Sequence, residues 1–167
     1  AILTNGAGNY AGWLHRYFRY KAYRTQLAPT SGSMGYGLPA AVSAKLVHPE
    51  RTVVCLAGDG CFQMSMQEFG TAVQYGANII VIVVNNGVYG TIRMHQQKTY
   101  PDRPSGTDIR NPNFAALARS YGGFGATITK TDQFADAFAA ALAAKAPAIL
   151  DVQTDPRAVT TRSSTAS

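Results

Sequence analysis

Oxygen-bearing side chains stand where two apolar runs of this chain stop. Asp59 lies in Gly58-Asp59-Gly60-Cys61, directly after Thr52-Val53-Val54-Cys55-Leu56-Ala57. Asn85-Asn86-Gly87 closes the next run, Asn78-Ile79-Ile80-Val81-Ile82-Val83-Val84. A carboxylate and an amide oxygen at neighbouring strand ends suit magnesium, which takes near-octahedral oxygen ligands and completes its shell with water and substrate phosphates. Asp59, Asn86 and a backbone carbonyl near Val88 would supply the protein's share. Gly58 and Gly60 let the backbone approach an anion where a side chain would intrude. An aspartate after a strand is, taken alone, as often a helix cap as a ligand. Its pairing with Asn85-Asn86 is what points to a metal–diphosphate site.

Both runs are short, rich in Val and Ile, and apolar on both faces, as parallel strands covered on each side by helices are. Ligands of open α/β sheets gather beyond the carboxyl ends of the strands. The stretch Gln63 to Tyr75 has helical spacing, with Met66, Phe69 and Val73 on one side. Its N-terminus is expected to aim N–H groups and the positive dipole end at a phosphate. Helices are predicted at 9–20, 39–47, 63–75, 113–121 and 131–145, and strands at 1–4, 52–57, 79–84, 125–129 and 148–153. The alternation predicts an α/β fold: a doubly wound, mainly parallel sheet with helices on both faces. Residues 1–156 form the expected domain, and the small, polar segment 157–167 is expected to fray.

At 167 residues the chain is long enough for a core of its own. A charged fraction of 14% against 46% hydrophobic residues suggests that part of the surface is covered by other domains or subunits. No run reaches membrane-spanning length and no signal peptide is visible. Cys55 and Cys61 are poorly placed to bridge each other, and reduced thiols in a cytoplasmic protein are the simpler reading. The net charge of +6 is densest at Arg16, Arg19, Lys21 and Arg24, interleaved with Tyr17, Phe18, Tyr20 and Tyr23. Such mixing can bind single-stranded nucleic acid, but an interface or lead-in segment is the better reading of this stretch. Neither nucleic acid nor membrane is an expected partner. Gly35-x-Gly37-x-x-Ala40 matches a dinucleotide fingerprint in letters only, because Ala28-Pro29-Thr30-Ser31-Gly32 is no strand.

The stretch Val42-Ser43, Pro49, Val54, Leu56, Gly58-Asp59-Gly60-Cys61, followed by Asn85-Asn86, resembles the cofactor signature of the thiamine-diphosphate-dependent enzyme superfamily. Ahead of it, Gly32-Ser33-Met34-Gly35-Tyr36-Gly37-Leu38-Pro39-Ala40-Ala41 is similar to a segment of acetolactate synthases and their relatives. The resemblance runs from about Ala1 to Pro156 and implies the pyrophosphate-binding domain. By that resemblance Asp59, Asn86 and the carbonyl of Val88 hold magnesium. Gly8, Asn9, Tyr10, Gly32, Ser33, Gly58, Gly60, Cys61, Tyr89 and Gly90 join them around thiamine diphosphate. Met34 corresponds to the bulky apolar residue that bends the cofactor, a catalytic role. His95, in Gly90-Thr91-Ile92-Arg93-Met94-His95, borders the substrate in related enzymes, where it could relay a proton or bind a carboxylate; a packing or exposed histidine is an equal reading.

The superfamily activates its cofactor with a glutamate on a separate pyrimidine-binding domain. Glu50 and Glu68 match no such position, so the chain is expected to be half of an active site. It opens on a strand, Ala1-Ile2-Leu3-Thr4, as a piece of a longer polypeptide would. Its partners would be the pyrimidine-binding domain, in the same polypeptide or a partner subunit, and a 2-keto acid substrate, within a homodimer or homotetramer. The implied activity is decarboxylation of a pyruvate-like 2-keto acid and ligation of the product to an acceptor. Acetolactate synthases carry a tryptophan near the position of His95, which this chain lacks. Asn86-Gly87-Val88-Tyr89-Gly90 also resembles the loop of benzoylformate-type decarboxylases, which release an aldehyde. A third reading is a cofactor-binding or regulatory module without catalysis.

Overall fold

The computed structural model describes residues 1–161. The β-branched runs form the centre of a six-stranded sheet. In chain order the elements are β1 (Ile2–Asn5), α1 (Ala11–Tyr17), β2 (Gln26–Leu27), α2 (Gly37–Val47), β3 (Val53–Gly58), α3 (Asp59–Gln63) and α4 (Glu68–Gln74). There follow β4 (Ile80–Asn85), α5 (Gly90–Thr99), α6 (Phe114–Ser120), β5 (Phe124–Ile128), α7 (Gln133–Ala143) and β6 (Ala148–Gln153). The strand order is β2-β1-β3-β4-β6-β5, and every pairing is parallel.

Parallel strands need both faces covered, and the alternation along each strand divides the core accordingly. Ile2, Val53, Cys55, Val81, Val83 and Ile149 point to the face covered by α2, α4 and α6, where Leu38, Phe69 and Phe114 meet them. Leu3, Val54, Ile80, Ala148 and Leu150 point the other way, toward Leu14 of α1 and Phe134 and Phe138 of α7. The doubly wound expectation is met. The chain passes from β1 to β2 on one side and then returns from β2 across β1 to β3 on the other, so the strand order reverses beside β1. A crevice opens at such a reversal, at the carboxyl ends of the strands.

Three local expectations are corrected. The single helix over 63–75 is two, α3 and α4, because the chain turns at Ser65, whose hydroxyl donates to the Gly35 carbonyl at 2.7 Å. Helix α5 and the short strand β2 had no counterpart among the predicted elements. The fraying expected from residue 157 does not extend to Val159, which is only 6% exposed; residues 162–167 lie outside the described residues.

Candidate functional site

The chain leaves β3 extended at Gly58 and turns at once into α3, so Asp59 is the first helical residue and is 3% exposed. Gly58 pairs in register with Val84 of β4, which brings the two strand ends side by side. Beyond β4, the Val88 N–H donates to Asn86 Oδ1 at 3.1 Å, and Gly87 takes a positive φ of 69°. That turn, which suits glycine, lets the Gly87 N–H donate to Asp59 Oδ2 at 2.8 Å. Asp59 Oδ1 accepts from the Gly60 N–H at 2.9 Å. The carboxylate is therefore buried and hydrogen-bonded, yet among the described residues it forms no ion pair. A buried anion without a counter-charge is costly.

A cavity of about 500 Å³ opens at this point. Of the expected site residues, Gly8, Asn9, Tyr10, Gly32, Met34, Gly58, Asp59, Gly60, Cys61, Asn86, Val88, Tyr89 and Gly90 line it. Two do not. Ser33 is exposed and shares a hydrogen bond with Ser31 at 2.9 Å. His95 is exposed on α5, beyond the first turn that reaches the cavity. The wall also includes Trp13, Thr91, Ile92 and Val159, none of which the motifs had singled out.

The glycines at the end of β3 serve an unexpected purpose. A Cβ on Gly58 would lie 2.7 Å from Cδ1 of Tyr10, and one on Gly60 would lie 2.5 Å from Cε1 of Tyr89. Two aromatic rings, not only an anion, require their bareness. The Tyr10 hydroxyl donates to Cys61 Sγ at 3.1 Å, and the same sulfur accepts from the Gly35 N–H at 3.1 Å. Burial, reinforced by the neighbouring Cys61, holds the Tyr10 phenol protonated well above its ordinary range. Burial likewise pushes the Cys55 thiol up to about 12, so it stays protonated and inert at neutral pH. Both cysteines are free, as expected.

The helix dipole meets the cavity from a different element than expected. Gly90, Thr91 and Ile92 of the first turn of α5 line it. No acidic residue occupies that turn, so its positive end is uncompensated. The turn is fixed by the segment that follows: the Tyr89 N–H donates to the Thr107 carbonyl at 2.9 Å, and the Ile109 N–H to the Gly87 carbonyl at 2.8 Å. Arg93 pairs with Asp108 at 2.7 Å.

The donor set fits magnesium. Asp59 supplies a charged oxygen, Asn86 an amide oxygen and Val88 a carbonyl oxygen, all hard ligands, while the remaining positions of an octahedron would fall to water and phosphate. The apolar wall of Trp13, Met34, Leu56, Ile92 and Val159 suits the uncharged rings of an organic cofactor or substrate.

A crevice at a strand-order reversal, closed by a buried strand-end carboxylate and a helix N-terminus, defines an α/β domain built to hold a phosphorylated ligand. The chain belongs to the thiamine pyrophosphate enzyme family: residues 6–152 match the model of its C-terminal TPP binding domain. An acetolactate synthase of Arthrospira platensis is 40% identical over 155 residues, which are 92% of this chain and 27% of that protein. The acetolactate synthase large subunit of Haemophilus influenzae is 46% identical over 104 residues, 62% of this chain and 18% of that one. Among solved structures, the thiamine diphosphate-dependent 4-hydroxybenzoylformate decarboxylase of Rhodococcus jostii RHA1 superposes with a TM-score of 0.86 at 33% identity. That match covers 93% of this chain and 29% of the decarboxylase. The chain thus spans about a quarter of the length of such relatives, and no helix among its described residues is long and apolar enough to cross a membrane.

Proposed function

We infer that this domain holds the magnesium and diphosphate of thiamine diphosphate in an enzyme that decarboxylates a pyruvate-like 2-keto acid and ligates the product to an acceptor. The observation that carries this reading is Asp59: a buried carboxylate that forms no ion pair among the described residues, set between Gly60 and Gly87 in the wall of the cavity. Asp59, Asn86 and the Val88 carbonyl bind the cation. The first turn of α5 and the Gly8–Tyr10 loop would hold the diphosphate, and Met34 would pack against the thiazolium ring. The bound cofactor supplies the carbanion chemistry that loss of carbon dioxide from a 2-keto acid requires. The chain's own residues would orient it, hold the cation that offsets its charge and exclude water along the apolar wall.

Acetolactate synthase similarity over most of the chain favours ligation. The structural likeness to a decarboxylase favours the second reading, release of an aldehyde. A module without catalysis is the third reading, and it depends on whether the pyrimidine-binding domain carries the activating glutamate. The complete enzyme would be a cytoplasmic homodimer or homotetramer, with its active site shared between pyrimidine- and pyrophosphate-binding domains. His95 and Ser33 would approach the cofactor or substrate only within that assembly.

The test is calorimetric titration of thiamine diphosphate into the full-length protein, with magnesium and with EDTA, followed by product analysis with pyruvate. Saturable, magnesium-dependent uptake and a ligated hydroxyketone are expected. A free aldehyde as sole product would move the assignment to the decarboxylase reading. Magnesium-independent binding would overturn the metal site.

A further inference from the structure

Joined to Asp59 of the cavity wall is a chain of amides, Gln63, Asn111 and Asn85, that does not itself line the cavity. Gln63 Nε2 donates to Asn111 Oδ1 at 2.7 Å. Asn111 Nδ2 donates to Asp59 Oδ2 at 2.6 Å and to Asn85 Oδ1 at 2.7 Å. Asn85 Nδ2 in turn donates to Asp151 Oδ1 at 2.9 Å. The direction of every bond is set by the acceptor at its end. Ionised Asp59 can only accept, so Asn111 must present its amino group there, which leaves its oxygen for Gln63. Both N–H bonds of Asn111 are thereby used, and rotating its amide by half a turn would bring oxygen against oxygen at Asp59 and at Asn85.

We propose that Asn111 is a positioning residue of the metal site: with the Gly87 N–H it occupies Oδ2 and holds the Asp59 carboxylate in the rotation that leaves the remaining lone pair, on Oδ1, for the cation. This rests on the magnesium reading of Asp59. The juxtaposition is specific, because one amide grips the side chain at the end of β3 and the side chain at the end of β4 together. Asn111 does not line the cavity, so its action passes through Asp59 and Asn85. It stands at the end of the segment whose Thr107 and Ile109 bind the Gly87–Tyr89 turn. Loop and carboxylate are consequently aligned by one stretch of backbone. Residues that orient metal ligands commonly change metal affinity by about 10–100-fold when removed.

The experiment measures, in the full-length protein, the magnesium chloride concentration that half-saturates thiamine diphosphate binding by calorimetry. Asn111→Ala, Gln63→Leu and Asp59→Ala are compared with wild type, and melting temperatures are taken without metal. Asn111→Ala should raise the half-saturating magnesium by about 10–100-fold and regain wild-type cofactor saturation at high magnesium. Gln63→Leu, which removes a hydrogen bond to Asn111 and none to the side chain of Asp59 or Asn85, should shift it in the same direction by less. If Asn111→Ala keeps the wild-type magnesium requirement, the proposal is overturned whatever happens to its melting temperature, since a merely structural residue behaves so. Should Asn111→Ala not fold, an unshifted Gln63→Leu overturns it instead. Loss of binding in Asp59→Ala beside an unaltered Asn111→Ala would sink the positioning role and leave the metal reading standing. Wild type that needs no magnesium would overturn both.

Discussion

The carboxyl ends of β3 and β4 and the β5–α7 edge of the same sheet are built of opposite materials. At the first, Asp59, Asn85, Asn111 and Asp151 form a connected polar web inside the protein. At the second, Phe134 and Phe138 stack at 5.9 Å over strands whose inward side chains are apolar, and the single acid of α7, Asp136, stands in solvent. A packed apolar edge gains stability from each contact. A buried web built round two carboxylates gives some of that stability up to desolvation. The sheet therefore keeps its stabilising and its ligand-holding parts at different addresses.

Removing the core beneath the web should have the largest effect. Phe114 is fully buried and meets Phe62 edge-to-face at 5.3 Å, just behind Asp59. Phe114→Ala should lower unfolding free energy by about 3–5 kcal/mol in denaturant titration, enough to loosen the web as well. Next comes Asp59→Ala, expected to weaken magnesium-dependent cofactor binding by about 100-fold or more, beyond the usual range for residues that only orient ligands. In the metal-free protein it should change stability little, because relief of a buried charge offsets the three hydrogen bonds that are lost; a large loss of melting temperature would erase the contrast drawn between the two regions. At the edge, Phe138→Ala should cost about 1–2 kcal/mol, since its half-buried ring loses part of the burial energy of a core side chain, with cofactor affinity unmoved.

The smallest effect concerns pH. Burial raises the Asp151 carboxyl above its ordinary value, against the lowering influence of its bonds from Asn85 and Gln153. A raised carboxyl binds its proton more tightly in the folded state. Its contribution to stability is complete below about pH 3.9, the ordinary aspartate value, and is lost as pH rises through the raised folded value. Asp151→Asn should lack that loss, so its denaturation midpoint should gain on wild type as pH rises through this window and then run parallel. A constant difference across the window would show that Asp151 does not titrate there.

Much of the sheet was legible because Val- and Ile-rich runs leave little choice. The strands at 52–57, 79–84 and 148–153 fall within one residue of β3, β4 and β6. Asp59 and Asn86 were legible because they end such runs. Asn111 was not, since it follows no strand; the neighbouring Asn113 carries the visible signal as the cap of α6, accepting from the Ala116 N–H at 2.8 Å. Helix α5 was missed for a related reason. Gly90-Thr91-Ile92-Arg93-Met94-His95 has no apolar stripe, and the helix buries no residue. It is held by tertiary bonds from Thr107, Asp108 and Ser105, which no window along the chain can reveal. The split between α3 and α4 hangs on one long-range bond, from Ser65 to Gly35.

Because every strand points the same way, the molecule has one working rim and one idle rim. The turns at 48–52, 76–79 and 144–147 all emerge at the idle end, and none of their residues borders the cavity. For an engineer, that rim is a mounting plate: peptide tags, reporters or tethers inserted there would sit a strand's length away from the chemistry.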